Sequence, residues 1–171
     1  FGSLNIGDSI SMIGKKGSHL SCSTLEEIYN SESSIDPPEI DLYQEKLNGN
    51  GVLELIQEKI ITSCHDISDG GMIVTICEMI MMDDRGATIN IVDNNKMIGE
   101  LFGEDQSRYI ITISPELESI FKKKMKKRGV KYELIGCITS SQLKINDNII
   151  ISSNEIRDAY ESLIPSVMNN M

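Results

Sequence analysis

The residues best suited to chemistry lie close together, in Cys64-His65-Asp66-Ile67-Ser68-Asp69-Gly70-Gly71. Asp66, Ser68 and Asp69 carry short side chains that accept hydrogen bonds from the free N–H groups of a helix start. Gly70 and Gly71 leave the backbone bare enough for a ligand to approach. A strand-to-helix turn of this composition would aim N–H donors and the positive end of a helix dipole outward, which suits phosphate. Ser68, Gly70 and Gly71 are therefore candidate phosphate contacts. The alternative is that the acids cap the helix and the glycines only let it pack closely. The turn by itself leaves both readings open.

A strand must deliver this turn and a helix must carry it away. Residues 60–64 are short and β-branched and read as the strand, while Met72, Ile73, Ile76, Met79 and Ile80 recur at helical spacing. Further strands are expected over 8–13, 87–92, 107–113 and 130–138, the third of them apolar enough to lie centrally and be buried on both faces. Ser23-Thr24-Leu25-Glu26 is a capping box for a short helix to Tyr29. A second helix is expected over 42–59, interrupted at Asn48-Gly49-Asn50-Gly51, with Val52, Leu53 and Ile56 as its inner stripe. A short helix follows over 96–101. Pro115 opens another that Gly129 ends. Residues 143–145 and 149–151 flank Asn146-Asp147-Asn148 as a hairpin. Ser153 then caps a last helix that Pro165 stops. The polar stretch 30–38 reads as loop. Together these predict an α/β to α+β fold, with a mixed sheet carrying helices on both faces. No repeat or low-complexity tract divides the chain, so residues 1–171 form a single domain.

Composition narrows the function. A chain of 171 residues can bury a real core, and with no Trp and few aromatics that core must be Ile, Leu, Met and Val. The net charge of −10 argues against nucleic acid or an anionic membrane as the main partner. The cluster Lys122, Lys123, Lys124, Lys126, Lys127 and Arg128 shares its helix with Leu117, Ile120, Phe121 and Met125, and reads as the solvated side of that helix. Cys22, Cys64, Cys77 and Cys137 show no CxxC spacing and fit reduced thiols of a cytoplasmic protein. No apolar run is long enough to span a bilayer. A start at Phe1 rather than Met suggests a piece cut from a longer protein.

A second charged turn, Phe102-Gly103-Glu104-Asp105-Gln106-Ser107-Arg108, precedes the central strand. Glu104 and Gln106 are two apart, so in an extended segment their side chains point the same way. A carboxylate beside a carboxamide reads amide or ribose groups well. Arg108 is expected to pair with Asp105 or Glu104 at the surface. An ordinary charged loop is the alternative.

Asp36-Pro37-Pro38-Glu39-Ile40-Asp41-Leu42, His65-Asp66-Ile67-Ser68-Asp69-Gly70-Gly71 and Leu101-Phe102-Gly103-Glu104-Asp105-Gln106-Ser107-Arg108, in this order and spacing, resemble one family. It is phosphoribosylformylglycinamidine synthase, the ATP-dependent glutamine amidotransferase of purine biosynthesis. The resemblance covers nearly the whole chain and matches the C-terminal quarter of the synthetase subunit, down to the closing Ile164-Pro165-Ser166-Val167-Met168. Two departures stand out. Asp105 replaces a common Ser, adding negative charge beside any bound phosphate. Ser21-Cys22-Ser23 replaces a common Gly-Gly-Ser run.

The resemblance implies a C-terminal domain like that of aminoimidazole ribonucleotide synthetase, and an intact enzyme that uses ATP and magnesium. Ammonia from glutamine there attacks an amide carbon that ATP has activated. The family's catalytic His, ATP-gripping residues and glutaminase Cys fall outside this chain, so the fragment is expected to be inactive alone and to hold no tightly bound cofactor. Asp66 is the implied magnesium ligand, and Glu104 and Gln106 the implied substrate contacts, as counterparts of working residues in the other half of a duplicated subunit. Implied partners are the ATP-binding and substrate domains of the same polypeptide and a glutaminase subunit or domain. Two alternatives remain: a non-catalytic assembly module of that enzyme, or a domain of a related phosphotransferase of the selenophosphate or thiamine phosphate type.

Overall fold

The computed structural model describes residues 2–29, 36–146 and 148–169. The expected loop around 30–35 and Asp147 of the expected hairpin turn lie outside them. In chain order the elements are β1 (Ser9–Ile13), α1 (Thr24–Tyr29), α2 (Leu42–Gln57), β2 (Ser63–Asp66), α3 (Gly71–Met82) and β3 (Gly86–Ile89). A 3-10 turn over Asn94–Lys96 then runs into α4 (Met97–Phe102). There follow β4 (Tyr109–Ile113), α5 (Glu118–Arg128), β5 (Tyr132–Thr139), β6 (Gln142–Ile145), β7 (Ile149–Ser152), α6 (Ser153–Glu161) and α7 (Leu163–Asn169).

The strands form one seven-stranded sheet in the order β2-β4-β1-β5-β3-β6-β7. Neighbours among the described residues run antiparallel except β3 and β6, which are parallel. Alternation along the strands separates two cores. Ile10, Met12 and Ile110 face one way, onto Met72, Ile76 and Ile80 of α3 and Leu101 of α4. Ile13, Ile111 and Ile113 face the other way, onto Val52 and Leu55 of α2 and Phe121 and Met125 of α5. The mixed sheet with helices on both faces is as expected, and β4 is interior with apolar residues on both sides.

Local expectations fail where tertiary contacts outweigh propensity. Helix α2 runs unbroken through Asn48-Gly49-Asn50-Gly51. Each helical Gly costs roughly 1 kcal/mol relative to Ala, but Gly51 lies against Val130, where an added Cβ would stand 3.1 Å from Cγ2. The inner stripe is Asn48, Gly51, Val52 and Leu55, while Leu53 and Ile56 are exposed. Strand β2 begins at Ser63 rather than residue 60, because it pairs with β4 from Thr112 to Tyr109. Strand β3 stops at Ile89. Helix α5 begins at Glu118, three residues after Pro115, and Gly129 ends it in the left-handed conformation. Ser152, not Ser153, caps α6 in a full capping box with Glu155. Pro165 does not stop a helix; it sits in the first turn of α7, where its missing N–H costs little.

The basic residues of α5 form its solvated side as expected, with only Lys124 half-buried. Lys124 bridges Glu54 of α2 and Glu58, the residue that caps its C-terminus, and Arg128 also pairs with Glu54. These pairs fasten α5 to α2 over the Phe121–Leu55 core.

Candidate functional site

The turn between β2 and α3 is shaped by its two glycines. Gly70 and Gly71 have φ of +79° and +71°. A Cβ on Gly71 would stand 2.7 Å from the carbonyl carbon of Phe102 and 2.8 Å from the carbonyl oxygens of Leu101 and Gly103. Only glycine lets α3 start this close to the end of α4. Because Gly70 occupies the N-cap position in a left-handed conformation, no side chain caps α3. Asp66, Ser68 and Asp69 are exposed instead, which corrects the expectation that the acids cap the helix.

The donors expected to face a ligand are engaged within the chain. Gly71 N–H donates to the carbonyl of Ser68 at 3.0 Å. Gly70 N–H donates to Glu104 Oε1 at 2.8 Å, and the same oxygen accepts from Thr24 N–H at 2.8 Å. Glu104 therefore joins the β2–α3 turn to the start of α1.

Asp66 ends β2 with its side chain 71% exposed. His65 links it to α3: Nδ1 lies 3.3 Å from Asp66 Oδ1, and Nε2 lies 3.3 Å from Glu78 Oε2. Cys64, His65, Asp66, Lys59 and Tyr109 line a cleft of about 680 Å³ beside the open edge of β2. No group of three His, Cys, Asp or Glu side chains converges for a metal among the described residues. Asp66 is a single carboxylate donor.

Gln106 lies elsewhere. The segment before β4 is not extended: Gln106 and Ser107 form a bend, and Ser107 has φ of +65°. Glu104 and Gln106 consequently diverge, against the same-side expectation. Gln106 is exposed in a second cleft of about 770 Å³, with Lys15, Lys16, Ser18 and His19 on one wall and Asp41, Gln44 and Asn48 on another. Asp66 and Gln106 therefore line different clefts. Helix α2 fixes the bend: Ser107 Oγ donates to the Glu45 carboxylate, and Asn48 Nδ2 donates to the carbonyl of Ser107 at 2.8 Å. Gln44 Nε2 in turn donates to Asn48 Oδ1 at 2.7 Å.

Arg108 is not a surface ion-pair partner. It is 2% exposed. Its Nε donates to the carbonyl of Asp105 at 2.9 Å and its Nη2 to that of Gly103. Its Nη1 lacks a hydrogen-bond partner among the described residues. Burial lowers its pKa against the opposing pull of Asp105 and Glu104. Asp105, whose extra charge was expected beside a ligand, turns inward: Oδ2 accepts from Ser18 N–H at 2.7 Å and His19 N–H at 3.0 Å. Burial pushes its carboxyl up, but those two N–H groups and the Arg108 charge outweigh burial and hold it below the usual range.

Lys15, Lys16, His19, Glu45 and Asn48 were not singled out by sequence. Asn48 carried a faint signal as a polar residue in a helical apolar stripe. His19, whose Nε2 lies 2.7 Å from the Asp36 carbonyl, carried none. Lys16 reaches Glu100 and Glu133, both at 3.1 Å. Cys22, at the place of the replaced Gly-Gly-Ser run, keeps a glycine-like φ of +57°.

Comparison with known proteins gives these features a context. The family described as AIR synthase related protein, C-terminal domain, matches residues 5–147. The PurL subunit of phosphoribosylformylglycinamidine synthase from Brucella ovis is 34% identical over 169 residues, which is 98% of this chain and 23% of that protein. The chain thus spans about a quarter of the length of the curated relatives it matches. Among solved structures, Thermotoga maritima PurL complexed with FGAR superposes with a TM-score of 0.71 at 14% identity, over 91% of this chain and 28% of that one. The PurLQS assembly of Thermotoga maritima gives 0.67 at 16% identity, over 91% and 27%. Both share the fold. No helix among the described residues is long and apolar enough to cross a membrane.

Proposed function

The chain belongs to the AIR synthase related proteins, matching their C-terminal domain, and from that premise we propose that it serves as the C-terminal domain of a phosphoribosylformylglycinamidine synthase. That enzyme converts formylglycinamide ribonucleotide, glutamine and ATP to formylglycinamidine ribonucleotide. The observation that carries the proposal is 34% identity to the Brucella ovis subunit sustained over 98% of this chain. The remaining ATP-binding and substrate domains and a glutaminase partner complete the machinery. Likeness to a chain of the PurLQS assembly supports the latter.

The residues present fit a magnesium nucleotide in part. Magnesium commonly takes one or two carboxylates and leaves its other positions to phosphate and water, and Asp66 offers one exposed carboxylate at a strand end. Asp66 would hold the ion. ATP supplies, when bound, the phosphoryl group that activates the substrate amide. Glu104, Gly70 and Gly71 set the shape of the turn and keep Asp66 at its rim. Gln106 presents a carboxamide that donates to and accepts from amide or ribose groups in its own cleft.

The test uses the full-length protein. Glutamine- and ATP-dependent formation of formylglycinamidine ribonucleotide is expected from it, and none from these 171 residues alone, because one domain cannot assemble a composite site. Turnover by the isolated chain would overturn the assignment.

One observation favours a second reading, a scaffold that binds nothing itself: both glycine N–H groups of the turn are used inside the chain. Asp66→Asn in the full-length protein separates the two. Weakened magnesium-nucleotide binding supports the ligand role. Unchanged binding and unchanged turnover support the scaffold.

A further inference from the structure

The basic residues of this acidic chain are divided unequally. On α5, Lys122 pairs with Glu118, while Lys124 and Arg128 are taken by α2. Lys123, Lys126 and Lys127 are exposed, and their ammonium groups make no ion pair among the described residues. They stand three and four apart, so they share one face. Lys131 follows just past the helix end, and Gly14 N–H donates to its carbonyl at 2.9 Å, which brings Lys15 alongside. Lys15 and Lys131 line one cleft of about 440 Å³, and neither has an ion-pair partner among the described residues.

The helix dipole accounts for cations in the last turn of α5. It does not account for Lys123, nor for Lys15 and Lys131, which lie off the helix. Nor is the patch purely ionic. Ile120 is 42% exposed, and its spacing to Lys123 and Lys127 puts it in the same row. A partly open apolar side chain with exposed cations on its C-terminal side resembles the anchor of a protein interface more than a phosphate track.

We propose that the Ile120–Lys123–Lys126–Lys127 face of α5 is a docking surface for an acidic segment of a partner protein, with Ile120 seating an apolar side chain among that segment's carboxylates. The probe is a synthetic peptide repeating Glu-Glu-Leu-Glu, titrated against the full-length protein at several salt concentrations. Binding is expected to weaken with salt and to fall about tenfold or more in the triple variant K123E/K126E/K127E. A control triple, K46E/K96E/K144E, makes the same change in net charge away from the patch and is expected to bind nearly as the parent. Ile120→Ser is expected to weaken this peptide but not plain polyglutamate. Equal loss in both triples would overturn the proposal, as would tighter binding of polyuridylate or phosphatidylglycerol vesicles than of the peptide. Circular dichroism of each variant shows that the fold is retained.

Discussion

Glu104 Oε1 stands 2.8 Å from the amide nitrogen of Gly70, while also accepting from Thr24. A residue expected to reach for a substrate thus closes the turn on which the substrate-side acids sit. Glu104→Ala leaves two backbone donors without their acceptor and is expected to cost about 2–6 kcal/mol, at about 1–3 kcal/mol per buried unsatisfied group. Glu104→Gln keeps an acceptor oxygen and is expected to cost less than half as much. Urea midpoints measure both, and a silent Glu104→Ala would remove the staple from the account.

Gly71 is the turn's most constrained position. Gly71→Val is expected to destabilise by more than about 3 kcal/mol, since the new Cβ meets backbone on three sides and φ is positive. Asp69→Asn alters an exposed side chain that caps nothing, and its effect is expected to stay within about 0.5 kcal/mol. The opposite ranking in chemical denaturation would mean that the carboxylate holds the turn by charge.

Asp105 predicts an acid limb. Its pKa is held below the ordinary 3.8 in the fold. A depressed carboxylate contributes stability that is fully present above the unfolded value and is lost as pH falls through the lower folded value. From about pH 4 downward the parent should therefore lose stability more steeply than Asp105→Asn, and above that range the two curves should run parallel. Denaturation midpoints across pH test this, with identical slopes as the contrary result.

The four thiols should separate by reactivity. Burial pushes Cys64 and Cys77 up to about 11, whereas Cys22 and Cys137 are exposed. With the thiolate as the reactive form, the first two should alkylate about a hundredfold more slowly at neutral pH. Peptide mapping after timed iodoacetamide exposure reads this directly.

Much of the fold was legible because apolar spacing is a local property. Met72, Ile73, Ile76, Met79 and Ile80 all enter the core as their period requires. Helix α2 was misread because Asn48 and Gly51, poor helix formers, are held by Ser107 and Val130, which lie far away in sequence. The arrangement of the candidate site residues was not legible in the sequence. Asp66 and Gln106 were singled out from their turns and given roles by the resemblance, yet nothing local reveals that a bend at Ser107 sends Gln106 into a separate cleft. Arg108 was placed at the surface because its cover, the stretch around Gly14 and Gly17, belongs to the other end of the chain; an added Cβ at Gly14 would stand 3.0 Å from Arg108 Cγ.

The strand order has a consequence for synthesis. β1 pairs with β4 and β5, β2 with β4, and β3 with β5 and β6. Three strands therefore leave the ribosome before any of them meets a neighbour, and the first ladder must wait for Tyr109. Until then the nascent chain exposes unpaired apolar edges, the condition under which chaperones are recruited and aggregation competes with folding. Within this domain Ser9, which ends opposite both Ile113 and Cys137, is made long before either partner.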